Sequence, residues 1–259
     1  MSRFYAAVAG ATLISALTTA SPQAQDDRYV SPWKTPWTYQ DQAHWSELDS
    51  AYAACGSGKA QSPIDIRQTT PVKLPPLRFE WKPQPLRYVI NNRYTWRVNY
   101  APGNGNFLVV GDKRYELVQF HFHHPAEDMV DGRRHSFEMH MMFKSADGAI
   151  VGVTVFDVPR HANPVVRDVW AHAPRSEGQW PAGPEAVNLA PLLPGATVRR
   201  YDEYMGSVGA PPCTEGVEWF ILADPVGVSA EQIAAFAKLW PNDDRETQPL
   251  NGRVVRRRR

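Results

Sequence analysis

Between Leu77 and Val158, apolar and polar residues alternate in short runs broken by turn signals, the pattern of half-buried strands. The runs are 87–91, 96–100, 107–110, 115–123, 135–144 and 150–158. Asn104-Gly105, Gly111-Asp112, Asp131-Gly132 and Asp147-Gly148 separate them as turns. Residues 189–198 and 219–222 read as further extended pieces. Helical spacing shows in two places. A short helix is predicted over 164–172, with Asn163 as N-cap and Pro164 at the first helical position. A longer one is predicted over 229–240: Ser229 and Gln232 form a capping box, Ile233, Phe236, Ala237 and Trp240 form an apolar stripe, and Pro241 follows. Residues 25–62 are aromatic and polar with little periodicity, and predict an irregular segment wrapped on a core. There is no internal repeat and no linker, so one mainly-β domain is the simplest account.

Composition adds limits to that picture. The chain has 259 residues and is 43% hydrophobic, enough to bury one large core. Plentiful aromatics and 23 prolines suit strands and turns better than a helix bundle. A net charge of +1 gives no argument for a nucleic-acid partner. At the start, Arg3 precedes the uncharged, largely apolar stretch from Phe4 to Leu17, and Thr18-Thr19-Ala20 follows. This reads as a signal peptide over 1–24, cleaved near Ala20 or Ala24, and so as a periplasmic or secreted protein. The alternative is an uncleaved N-terminal anchor, although the run is too short to span a membrane comfortably. No other stretch is long enough for a transmembrane helix. Cys55 and Cys213 are the two cysteines, which in an exported chain read as one disulfide rather than two buried thiols. The domain is expected over 25–253. Residues 254–259 form a basic tail, either a solvated end or a weak electrostatic tether to an anionic envelope surface.

The chemistry lies in two of the strand runs. Gln119, His121 and His123 alternate with Phe120 and Phe122, so the first three would share one face of a strand. Glu138 and His140 share a face by the same rule. If the two strands are neighbours, three imidazoles converge. Three neutral imidazoles with an open fourth position are a catalytic zinc arrangement. Metal-bound histidines give their second N–H to a nearby acceptor, and Gln119 and Glu138 stand where such acceptors belong. The competing reading is a strand pair with satisfied core histidines.

These motifs make the sequence resemble the α-class carbonic anhydrases of the exported bacterial kind, from about Trp37 to Arg253. The resemblance rests on His44-Trp45, the run from Gln61 to Ile66, Asn91-Asn92, the two histidine strands, the run from Pro211 to Val217 with Trp219, and Gln248-Pro249-Leu250. It implies a large, twisted, mostly antiparallel sheet with a few short peripheral helices and zinc at the floor of a conical cleft. It implies that His121, His123 and His140 hold Zn²⁺, with Gln119 and Glu138 behind them and the backbone near Asp243 facing His123. It places Cys55 and Cys213 at the family's bacterial disulfide. It assigns an apolar pocket wall to Met142, Ile150, Val208 and Trp219, with Tyr39, Asn92 and Tyr94 nearby. The implied activity is reversible hydration of CO₂ to bicarbonate, zinc acidifying a bound water enough to supply hydroxide near neutral pH. The implied partners are these small molecules only; oligomeric state is not implied.

Two departures bear on that activity. The family carries Ser-Leu-Thr-Thr-Pro-Pro where this chain reads Ser207-Val208-Gly209-Ala210-Pro211-Pro212. The flanking Ser and Pro-Pro fix the register, so the family's gatekeeper Thr is Gly209 here, and Glu127 loses its expected hydroxyl partner. Tyr94 stands where active members often carry a proton-shuttle His, and a phenol is poorly matched to moving protons at pH 7. The expectation is an impaired enzyme; the rival is a zinc-containing binding module without turnover.

Overall fold

The computed structural model describes residue 31 and residues 33–259. The expected signal peptide lies outside the described residues. The alternating runs form strands, and among the described residues these build one 14-stranded sheet and a small three-stranded one. The large sheet runs, in order, through Gly178–Pro181, Tyr88–Asn91, Trp96–Asn99, Lys113–His123, Glu138–Ser145, Ile150–Pro159, Glu215–Leu222, Tyr201–Ser207, Arg256–Arg258 and Thr70–Val72. Pairing along this path is antiparallel except at Ile150–Pro159 with Glu215–Leu222 and at Arg256–Arg258 with Thr70–Val72. The expected mainly-β architecture with short peripheral helices holds.

One face of the sheet carries the main core. Phe120, Phe122, Met139, Met141, Val153 and Val155 point into it and are almost fully buried. The helices Pro164–His172 and Ala230–Ala237 cover that face. Phe236 and Trp170 stack at 5.5 Å, and both lie edge-on to Phe122. The two helix caps are joined. Asn163 N donates to Gln232 Oε1, and Gln232 Nε2 donates to Asn163 O, both at 2.8 Å. Gln232 also completes the capping box with Ser229. The second helix ends at Ala237, short of the expected Trp240, yet Trp240 still packs on Phe236.

Two segments depart from expectation. Tyr201–Ser207 is a fully paired strand that the sequence did not announce, because Asp202 and Glu203 look like solvent-facing residues. The basic tail is not a free end. Arg256–Arg258 is inserted in the sheet, with Arg256 opposite Glu203 and Arg257 opposite Asp202. Each buried carboxylate is neutralised by the guanidinium facing it, which explains both differences at once. Within 189–198 the chain forms a 3₁₀ turn at Ala190–Leu192 and a strand only at Thr197–Val198. The N-terminal segment is wound into short helical turns between Tyr39 and Ser57. No helix among the described residues is long and apolar enough to cross a membrane.

Candidate metal centre

The two histidine strands are neighbours. His140 lies opposite His121, and Glu138 opposite His123. Their register slips between Met142 and Phe143, where Val118 is left unpaired in a β-bulge. The bulge matters for the site. Tyr115 and Leu117 face the main core, and after the extra residue so do Phe120 and Phe122. Gln119, His121 and His123 therefore turn to the opposite face, into a cavity of about 380 Å³ that His140 also lines.

The three ring centroids are 4.8–5.3 Å apart, and one ligand atom from each ring lies within 4.8 Å of the others. His121 and His123 are each turned by an acceptor behind the ring, and His140 has a carboxyl group close to its own. His121 Nδ1 is 2.8 Å from Gln119 Oε1, and His123 Nδ1 is 2.7 Å from the Asp243 carbonyl. His140 Nε2 lies 3.1 Å from Glu138 Oε1. These contacts leave Nε2 of the first two rings and Nδ1 of the third for the cavity. His123 Nε2 is buried without a hydrogen-bond partner, and so is His140 Nε2, whose approach to Glu138 lacks hydrogen-bond geometry. Such an orphan is costly unless an ion takes it, so the donor set fits a metal. Burial, reinforced by the neighbouring rings, holds His121 and His123 well below the ordinary histidine range. Burial lowers His140 too. All three are then neutral near pH 7, the form that binds a metal.

Carboxyl groups crowd behind the rings. Glu138 Oε1 accepts from Glu127 N at 2.8 Å, and Glu127 Oε1 accepts from Arg245 N at 2.8 Å. Burial pushes Glu127 and Glu138 up to about 8 and Asp128 up to about 7. A dry cluster of this kind favours a cation beside it.

The anticipated pocket residues Tyr39, Asn92, Tyr94, Met142, Ile150, Val208 and Trp219 all line the cavity, with Gly209 and Ala210. Ile150 sits at the mouth, 38% exposed, rather than deep in the wall. The residue opposite Met142 is Gly152, where a Cβ would come within 2.5 Å of the Trp219 ring. Its bare backbone lets that ring lie against the strand. The loop after Val208 is pinned by the Cys55–Cys213 disulfide, by Cys213 N donating to Ala210 O, and by Trp33 Nε1 donating to Pro211 O. Trp33, Trp37, Arg97 and Lys144 also line the cavity. Strand alternation could have flagged Arg97, which pairs with His121, but the two tryptophans lie in the aperiodic segment.

A family model described as eukaryotic-type carbonic anhydrase matches residues 40–259. The chain belongs to the α-carbonic anhydrase family. It is 37% identical over 223 residues to a carbonic anhydrase of Pectobacterium carotovorum, covering 85% of this chain and 89% of that one. It is 36% identical to a carbonic anhydrase of Nostoc, over 82% of this chain and 81% of the relative. Among solved structures it resembles the Thermovibrio ammonificans α-carbonic anhydrase in complex with sulfanilamide. The TM-score is 0.80 and the identity 34%, with 86% of this chain and 99% of that chain covered.

Within this α-carbonic anhydrase the two departures have visible consequences. Gly209 has no positive φ, so its backbone would accept a side chain without strain. A Cβ there would lie 3.0 Å from Glu127 Oε2, which faces the bare backbone. Tyr94 is wedged rather than poised. It stacks on Trp37 at 3.7 Å, meets Trp33 edge-on at 5.0 Å, and its hydroxyl accepts from Trp37 N. Burial raises its pKa further above the ordinary phenol value.

Proposed function

We propose that this chain is a zinc-dependent carbonic anhydrase that interconverts CO₂ and bicarbonate with reduced turnover. The observation that carries the reading is the convergence of His121, His123 and His140, each with its second ring nitrogen against Gln119, Asp243 or Glu138. Bound zinc would supply Lewis-acid chemistry that makes water nucleophilic near neutral pH. The chain's own residues do the rest. The three rings would hold the ion in a fixed orientation. Met142, Val208 and Trp219 offer an apolar wall that accepts CO₂ and excludes competing water. Gly209 has no hydroxyl to orient the attacking group, and Tyr94 is held away from proton transfer. Both lower the expected rate. The disulfide and the bacterial relatives favour work outside the cytoplasm, after removal of residues 1–24.

A second reading is a zinc protein that binds without turnover. The observation in its favour is the bare backbone at Gly209 in front of Glu127. Stopped-flow CO₂ hydration on metal-quantified protein decides between the two, with an activated ester as a parallel substrate for other hydrolytic chemistry. Turnover that rises with zinc content supports the enzyme; zinc-loaded protein at the buffer rate supports the binding module. In His140→Ala, zinc should fall well below one per chain. Full occupancy in that variant would refute the ligand set.

A further inference from the structure

The cavity of about 380 Å³ is far larger than CO₂ or bicarbonate, and falls among the volumes that take drug-sized organic molecules. Its lining is divided by chemistry. Trp33, Trp37 and Tyr94 pack into one aromatic wall, with Tyr94 stacked on Trp37 and edge-on to Trp33. Val118 and Ile150 add exposed apolar side chains. Two cations share the lining. Arg97 lies opposite His121 on the neighbouring strand, so its side chain leaves the same face of the sheet as the histidines. Its charge is felt at the His121 ring, after burial and the two neighbouring rings. Lys144 follows His140 and Met142 at strand alternation, further along the same face. Among the described residues that line the cavity the one acid is Glu127, which is buried against Gly209, its Oε1 accepting from Arg245 N.

We propose that this cavity binds a small aromatic carboxylate, with the carboxylate on Arg97 and the ring on the wall of Trp33, Trp37 and Tyr94. A planar guanidinium fork matches a planar carboxylate through two parallel hydrogen bonds. Tyr94 just precedes the strand Trp96–Asn99 that carries Arg97, so the aromatic wall and the cation stand on one side of the cavity. A flat ring gains most from such a wall. The exposed Lys144 adds a second positive charge that draws an anion in. The site stands on these side chains and does not depend on the zinc reading.

The test is titration of the purified, metal-quantified protein with benzoate, benzamide and acetate, followed by calorimetry and by the fluorescence of the cavity tryptophans. Benzamide keeps the ring without the charge, and acetate keeps the charge without the ring. Benzoate should bind about tenfold tighter than either, or more. Arg97→Gln should weaken benzoate by about tenfold and leave benzamide unchanged. Lys144→Gln should weaken it by less and reduce its salt dependence. Benzoate no tighter than benzamide, or benzoate affinity in folded Arg97→Gln within about twofold of the parent, would overturn the proposal. If that variant does not fold, Arg97→Met, which keeps the stem, carries the same criterion. Acetate binding as tightly as benzoate would show a carboxylate held at the histidine centre alone, and would overturn it too. A parent without zinc or CO₂ turnover would remove the function proposed above and leave this inference standing.

Discussion

Arg257 forks onto Asp202, its Nε and Nη2 donating to the two carboxylate oxygens at 2.7 and 2.8 Å. Asp202 is 6% exposed, so the pair neutralises a charge inside the sheet. Arg257→Ala should destabilise the fold by about 1–3 kcal/mol, because it leaves a buried carboxylate without its charged donor. Urea unfolding of the variant checks this, and an unchanged midpoint would show that the fork contributes nothing. Asp202→Asn with Arg257→Ala should recover part of the loss.

The disulfide closes a sequence separation of 158 residues. On the chain-entropy model that constraint is worth about 5 kcal/mol. Reduction should therefore lower the melting temperature. It should also weaken the site, since Cys213 N and Ala210 O hold the loop that carries Gly209. Two alkylatable thiols in the purified protein under non-reducing conditions would contradict the bond in solution.

Tyr94→His should give little increase in turnover. The position is packed under Trp37, and with a slow chemical step proton export is not rate-limiting. A tenfold rise in kcat, about 1.4 kcal/mol off the barrier, would show that chemistry is already fast. Measuring kcat in buffers of increasing concentration separates the two cases.

Gly209→Thr should raise kcat/KM for CO₂ more than any other single change. A hydrogen bond to a charged group is worth about 1.5–3 kcal/mol. Felt wholly in the transition state, that is on the order of 10- to 150-fold. The backbone at 209 is free of strain, but Glu127 must yield by a few tenths of an ångström, which places the gain toward the low end. Adding Glu127→Gln should remove most of it. A folded, zinc-loaded Gly209→Thr protein no faster than the parent would show that the missing hydroxyl is not the limitation.

The histidine site was legible because its signal is local. His121 and His123 stand two residues apart, and Glu138 and His140 repeat the spacing on the paired strand. Its depth was less legible. Val118 reverses the strand's phase, and nothing in an alternating run announces a bulge. Gly152 is the residue that faces Met142, a matter of register between strands rather than of composition. The sheet's far side was the least legible. Asp202 and Glu203 are buried only because Arg257 and Arg256 arrive from more than fifty positions later. Charge normally argues for solvent, and only the tertiary pairing cancels that argument.

The position of Arg256–Arg258 sets an order of assembly. This element lies between Tyr201–Ser207 and Thr70–Val72, bonded to both, and follows both in the sequence. During synthesis those two strands exist long before the piece that joins them. Until it emerges, each presents an unpaired edge, a template on which a second chain can build. The nascent protein is thus exposed to its own copies until Arg256–Arg258 arrives, and these arginines act as the stopper.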